Sequence, residues 1–371
     1  MRRTLLAMLL AAPVALFLAA PAAAGPPGFY GVVPQTDTVP DSEFQRMAKG
    51  NVGAYRWPLS WRLVETTKGT YDWTETDRLM TNLAMSGIKP LPFVCCPPEF
   101  VHKDLSKPPT GAAEEKAWRD FLHAAVERYG PKGEFWNPPA NPPPTNPPSP
   151  PLPPLPLKAA LPDNPITDWQ ILNEPNSSSF YHPKPDAKQY VHLLKISATA
   201  IRDVDPGAYI VLGGMFGTPH PASGKAVDAW KFLASLYKKG AKPFFDAAAS
   251  HPYARNVKGV KFQIKKFRKV MKRNHDSGAD LSITEMGWGS KKHIASFLGK
   301  GKKGQAEILK KSFRLLTHKR SKWNIRQAMW FSWKDKDDPK FCTWCDSAGL
   351  FSKSLDPKPS WKQFVKFTGG S

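Results

Sequence analysis

Two glutamates occupy similar settings far apart in the chain: Glu174 in Trp169-Gln170-Ile171-Leu172-Asn173-Glu174-Pro175-Asn176, and Glu285 in Ile283-Thr284-Glu285-Met286-Gly287-Trp288. Each follows an apolar run of strand length, so each carboxylate is expected where a strand ends. Two carboxylates brought together can share the work on one bond. One protonates a leaving oxygen while the other attacks or activates water, which is the logic of glycosidic cleavage. A glutamate at a strand end is commonplace, so either segment alone says little. Their companions add weight: Asn173 before Glu174, Arg56 on the second apolar run, His251-Pro252-Tyr253 after the sixth and Trp333 at the end of the eighth.

The elements that must position these residues alternate. Strands are expected at Phe29 to Val33, Ala54 to Leu59, Leu91 to Cys95, Thr167 to Leu172, Tyr209 to Leu212, Phe245 to Ala249, Leu281 to Thr284 and Arg326 to Phe331. Helical periodicity falls between them at Ser42 to Lys49, Thr74 to Met85, Glu114 to Tyr129, Ala187 to Val204, Val227 to Lys239, Val260 to Asn274 and Gln305 to Thr317, with Ser360 to Phe367 last. Eight strands, each followed by a helix, predict a closed α/β (β/α)8 barrel, and an open doubly wound sheet is the competing architecture. The spacing of the two glutamates fits three βα units of barrel size. On a barrel both carboxylates would stand on the rim at the C-terminal ends of strands four and seven, where active sites assemble.

Composition bounds the rest. The chain has 371 residues, 41% hydrophobic and 12% aromatic, enough apolar area for one large globular body and too much for a disordered polyelectrolyte. Residues 1–24 have Arg2 and Arg3, an apolar stretch from Leu5 to Ala20 and Ala22-Ala23-Ala24, the pattern of a cleavable export signal, with a retained anchor as the alternative. Residues 25–371 then form one domain, secreted or associated with the cell envelope. Pro138 to Pro156 holds twelve prolines in nineteen residues, an extended insertion between the third helix and the fourth strand. It belongs to the face of the barrel opposite the rim.

Export permits disulfides. Cys342 and Cys345 form the easiest pair to close, whereas adjacent Cys95 and Cys96 would stay reduced or pair elsewhere. The formal charge of +22 concentrates between Arg255 and Arg326, and the lysines of Val260 to Asn274 fall on the outer face of an amphipathic helix. That is either a solvated face or a surface drawn to an anionic cell-wall or matrix polymer or to lipid headgroups; for an exported chain these are favoured over nucleic acid. Gly299 to Gly304 spells GxGxxG but follows no strand and reads as a basic loop. No zinc-ligand spacing, GxSxG or HExxH occurs, and neither metal nor organic cofactor is expected. Asn176-Ser177-Ser178 is a glycosylation sequon by pattern, in a place where a glycan would obstruct Glu174.

Through Arg56-Trp57, Gly69-Thr70-Tyr71-Asp72-Trp73, Asn173-Glu174-Pro175-Asn176, His251-Pro252-Tyr253 and Thr284-Glu285, the chain resembles the clan A glycoside hydrolases. It is most similar to family 39 and related bacterial exopolysaccharide glycosidases, with family 5 close behind. The resemblance implies a retaining double displacement on a polysaccharide or oligosaccharide, with Glu174 as acid/base and Glu285 as nucleophile. It also implies that Asn173 holds a sugar hydroxyl, that Arg56 keeps Glu285 ionised and that Tyr253 donates to Glu285. Glu174 has to be protonated at the working pH, which burial and the charge of Glu285 would favour. Indoles at strand ends, Trp333 first, then Trp57 and Trp288, are the expected sugar platforms, with Trp344 behind them; His251 either lines the cleft or is a core histidine. The alternatives are a barrel that binds glycan without cutting it, attached to an anionic wall, and a structural wall protein.

Overall fold

The computed structural model describes residues 25–36, 38–138, 161–217, 226–292, 294–337 and 342–371. The expected leader at 1–24 and nearly all of the proline-rich insertion lie outside the described residues.

Eight parallel strands close in sequence order, β1 (Tyr30–Val33), β2 (Ala54–Ser60), β3 (Lys89–Cys95), β4 (Asp168–Asn173), β5 (Tyr209–Phe216), β6 (Ala247–His251), β7 (Asp280–Ile283) and β8 (Ile325–Phe331), with β8 pairing back onto β1. That closure excludes the open sheet. The outer ring comprises α1 (Asp41–Lys49), the single turn α2 (Trp61–Val64), α3 (Thr74–Met85), α4 (Ala112–Tyr129), α5 (Ala187–Val204), α6 (Ala229–Lys238), α7 (Val257–Arg273), α8 (Gly301–Lys319) and α9 (Pro359–Thr368). Both faces of the strands are covered, so they read as nearly continuous apolar runs.

Local chemistry explains the boundaries. Asp186 opens α5 by accepting from the Lys188 and Gln189 amides at 2.8 and 3.0 Å. Asn256 opens α7 by accepting from the Gly259 amide at 3.1 Å, which starts the helix at Val257 rather than Val260. Gly301 to Gly304, expected as a loop, form the first turn of α8 instead. β5 continues past Leu212 through Gly213 and Gly214. A Cβ on Gly214 would lie 2.0 Å from His251 Nε2 and 2.5 Å from Thr284 Oγ1, so the bare backbone lets β6 and β7 residues close in.

Both cysteine pairs are bonded, Cys342 to Cys345 as expected and Cys95 to Cys96 against expectation. The second pair sits where β3 ends and Cys96 takes the left-handed backbone conformation, a bend that turns both sulfurs toward each other. Among the described residues no helix is long and apolar enough to cross a membrane.

Candidate active site

The C-terminal ends of β4, β6 and β7 converge on a cleft of about 620 Å³ whose lining includes Asn173, Glu174, Tyr253, Glu285, Phe93, Phe331, Lys336, Trp344 and the Cys342–Cys345 bridge. That volume lies within the usual range for small-molecule sites. At the end of β4, Leu172 and Glu174 both take positive φ, 61° and 41°, on either side of Asn173. This costly backbone turns two consecutive polar side chains toward one cavity. The Glu174 amide donates to the Gly214 carbonyl at 3.0 Å, so the kink is anchored to β5.

The two glutamates meet. Carboxylate oxygens of Glu174 and Glu285 and a ring nitrogen of His251 all lie within 4.8 Å of one another. Retaining glycosidases need about 5–5.5 Å between their carboxyl groups and inverting ones about 6.5–9.5 Å. Glu285 is held on both oxygens: Arg56 Nη1 donates to Oε1 at 2.7 Å and Tyr253 Oη to Oε2 at 2.7 Å. Arg56 also donates through Nη2 to Asn173 Oδ1 at 2.8 Å and through Nε to Gln170 Oε1 at 2.6 Å, so one planar guanidinium fixes three side chains.

Electrostatics separates the pair. Burial first, then the charge of Glu285, pushes the Glu174 carboxyl well above the usual carboxylate range, with Arg56 opposing. Burial, reinforced by Arg56, drives His251 well below the ordinary imidazole value, so the ring is neutral. Its Nδ1 lies 2.7 Å from Glu174 Oε1 and its Nε2 3.0 Å from Thr284 Oγ1. In the Nδ1–H tautomer His251 donates to Oε1, leaving the other Glu174 oxygen to carry a proton into the cleft. Burial and the charge of Glu285 raise Tyr253 well above the usual phenol value, which keeps it a donor.

Among the described residues, Glu174, Glu285 and His251 are also the group close enough together to ligate a metal. Their ligand atoms already have protein partners, and the Arg56 guanidinium beside Glu285 supplies the positive charge a cation would bring. The residues therefore fit proton transfer and attack on carbon better than metal binding.

Sequence reading and structure differ on how several residues take part. Arg56 and His251 are fully buried and absent from the cleft lining, so they act through Glu285, Asn173 and Glu174 instead of touching a bound molecule. The three expected platforms are packed in the body. Trp333 donates to Glu43 Oε2 at 2.5 Å and packs on Phe351 and Trp361. Trp288 donates to the Ala254 carbonyl at 2.8 Å, and Trp57 packs near Tyr55 outside this cleft. Successive residues at a strand end point alternately inward and outward, and a sequence does not reveal which phase a loop keeps. The indole at the cleft is Trp344, held between the two bonded cysteines and set edge-on to Tyr253 and Phe331 at 5.1 and 5.7 Å.

Sequence reasoning missed Gln170 and Lys336. Gln170 is a polar residue inside an apolar run, a signal that was present; it donates to the Leu212 carbonyl at 2.9 Å while accepting from Arg56. Lys336 carried no signal beyond its position after the last strand. Asn176 of the sequon is buried, and its amide bonds the Phe216 and Val227 carbonyls at 2.9 and 2.7 Å.

A prediction follows from the shift of Glu174. A carboxyl whose folded-state pKa is raised contributes stability that is complete below its unfolded value, about 4.3, and is lost as pH rises through the folded value. Glu174→Gln stays neutral throughout. Its melting temperature relative to wild type should therefore climb as pH rises above about 5 and level off once pH passes the folded-state value, read by scanning calorimetry; a difference that is flat with pH would remove the proposed burial of charge.

A closed (β/α)8 barrel with two facing carboxylates on its rim is thus the class that fold and site define. No family model matches the chain, and no curated protein matches it by sequence. Among solved structures it is similar to a family 39 glycoside hydrolase from Bacteroides cellulosilyticus WH2, with a TM-score of 0.63 and 20% identity over 93% of this chain and 64% of that one. It is also similar to a GH39 β-xylosidase from Caulobacter crescentus, at 0.60 and 19% over 93% and 72%. An intracellular xylanase from Thermoanaerobacterium saccharolyticum gives 0.56 and 12% over 91% and 94%. This chain thus spans less than two thirds of the first of these proteins, and the likeness at such identities establishes the fold.

Proposed function

We propose that the chain is a retaining glycoside hydrolase of clan A, nearest in kind to family 39, acting on a polysaccharide or oligosaccharide. One observation carries the reading: two carboxyl groups with oxygens within 4.8 Å on one cleft, one pushed toward its protonated form and the other clamped by Arg56 and Tyr253.

In the first step a Glu285 oxygen attacks the anomeric carbon as the bond to the leaving oxygen breaks, and Glu174 gives that oxygen its proton. A glycosyl ester on Glu285 results. Its formation removes the negative charge that had raised Glu174, so Glu174, now ionised, can take a proton from water. Water attacks the same carbon from the side the leaving group vacated, the ester bond breaks, and Glu285 is restored as a carboxylate. Two inversions give net retention. Asn173, oriented by Arg56, presents its amide to a hydroxyl next to the reacting carbon, and Trp344 offers an apolar surface at the cleft wall.

Export belongs to the same proposal. Two disulfides among the described residues suit an oxidising compartment, and an anionic envelope polymer is the partner that setting would offer.

The test is proton NMR of the first-formed anomer during hydrolysis of a glycan panel that begins with xylo-oligosaccharides and aryl β-xylosides, in keeping with the xylosidase and xylanase among the similar structures. Retention at the anomeric centre is expected. Inversion would overturn the two-step mechanism, and binding without release from any glycan would favour the non-catalytic carbohydrate-binding barrel.

A further inference from the structure

α7 and α8 are neighbouring helices whose charge is almost all of one sign. α7 carries eight Lys and Arg and no Asp or Glu; α8, packed beside it, carries six against the single acid Glu307. Cations elsewhere on the barrel are commonly paired, as in Arg128 with Asp77, Arg202 with Asp246 and Lys116 with Asp120. Among the described residues no cation of α7 forms an ion pair, and on α8 only Lys311 does, with Glu307 at 3.0 Å. A helix that merely needs solubility mixes signs at i,i+4, because like charges at that spacing repel and weaken it.

The geometry of α7 is linear. At about 100° per residue, Lys258, Lys261, Lys265, Lys269 and Lys272 fall within an arc of about 80°, and all five are exposed. The opposite side, Val260, Ile264, Phe267 and Met271, is fully buried against the barrel. The line is about 21 Å long with a charge every turn or so, closer together than the roughly 8 Å over which physiological salt screens them. Phe262 lies on the same face and is 50% exposed, edge-on to Trp230 of α6 at 5.7 Å and with Lys266 Nζ 5.0 Å from its ring centre. The line begins a few residues after Tyr253, so its upper end is next to the rim that carries the cleft.

We propose that the outer face of α7, extended by α8, is a second binding surface that holds a linear anionic polysaccharide alongside the cleft. Regularly spaced carboxylates on an extended glycan can meet successive lysines, and a sugar ring can lie on Phe262, whose exposure the core does not require. Each contact is weak at an exposed site, and the affinity comes from their number along one polymer. A bilayer fits less well, because the apolar side of α7 is turned inward and Phe262 is the one large apolar side chain this helix exposes. The choice of a sugar polymer rests on the glycosidase reading; the surface itself does not.

Affinity electrophoresis of the full chain through gels containing polygalacturonate tests this, with dextran as neutral control and with phosphatidylglycerol vesicles and duplex DNA as competitors. Wild type should be retarded by polygalacturonate and not by dextran, with the retardation abolished at about 0.5 M salt. Replacing Lys258, Lys261, Lys265, Lys269 and Lys272 together by Gln should weaken binding at least about tenfold. Removing the same charge from exposed Lys49, Lys68, Lys89, Lys107 and Lys132 should change it less than about twofold. Both variants should keep the wild-type circular dichroism spectrum and the same turnover of a small aryl glycoside. Equal loss in both would reduce the effect to net charge and overturn the proposal, as would equal retardation by dextran or stronger competition by vesicles or DNA. Retardation that persists in a chain inactive on every glycan would sink the catalytic reading while leaving this one standing.

Discussion

Replacing Glu285 by Gly is expected to lower turnover on the order of 10⁴-fold or more, because the attacking atom is lost and water is not held in its place. Azide should then restore activity. It would enter the space left by the carboxylate, attack the anomeric carbon from that side and give a glycosyl azide of inverted configuration. Glu174→Gly has a different signature: an aryl glycoside with a good leaving group should still form the glycosyl ester, its hydrolysis should be slow, and azide should give a product of retained configuration. The two predictions share one origin in the asymmetry of the pair, since Glu285 is clamped by Arg56 and Tyr253 while Glu174 faces the neutral His251. Swapped azide products would mean that the roles are reversed, and turnover within tenfold of wild type in Glu285→Gly would remove the mechanism altogether.

The second large effect is expected at Arg56. Its guanidinium is fully buried, lies 4.3 Å from the centre of the Phe93 ring and is the donor for Gln170, Glu285 and Asn173. Arg56→Met fills much of the same volume with an apolar chain but leaves a buried carboxylate without its counter-ion and two amide oxygens without a donor. Breaking a buried pair from one side costs about 3–5 kcal/mol. At about 2–4 °C per kcal/mol for a domain approaching this size, the melting temperature should fall on the order of 10 °C. Turnover should fall on the order of 10²-fold or more, because Glu285 and Asn173 lose their common anchor. Arg56→Lys should recover only part of either, since one ammonium does not reach three acceptors in a plane. A melting temperature within about 1 °C of wild type for Arg56→Met would show that the ion pair does not hold the site together.

Much of this site could be read before folding because its parts follow the period of the chain. Strand-length apolar runs ending in Asn173-Glu174 and Thr284-Glu285 place carboxylates on a rim, and a barrel leaves one rim for both. Arg56 and Tyr253 were legible for the same reason, one inside its strand and one just beyond His251. The indoles were not. Trp333 and Trp288 follow strand ends and Trp57 lies within β2, yet each is buried in packing away from the cleft, while Trp344 reaches the cleft from a loop closed by Cys342 and Cys345. Arg56 pairs with Glu285 as expected, and His251 is the buried histidine of its two expected alternatives; that both lie beneath the cleft wall was not legible, because depth along the barrel axis is not encoded in any local pattern.

By itself, then, the sequence determined the barrel, the pairing of Glu174 with Glu285 and the basic outer line of α7, since each depends on periodicity: alternation along strands, a recurring βα unit and about 100° per residue around a helix. Tertiary structure decided how burial and the charge of Glu285 push the Glu174 carboxyl up, which tryptophan meets the cleft and how Arg56 binds three side chains at once. Those outcomes depend on burial and on distances between residues remote in the chain. Desolvation and Coulomb interaction act through space, and only closure of the barrel sets those spacings.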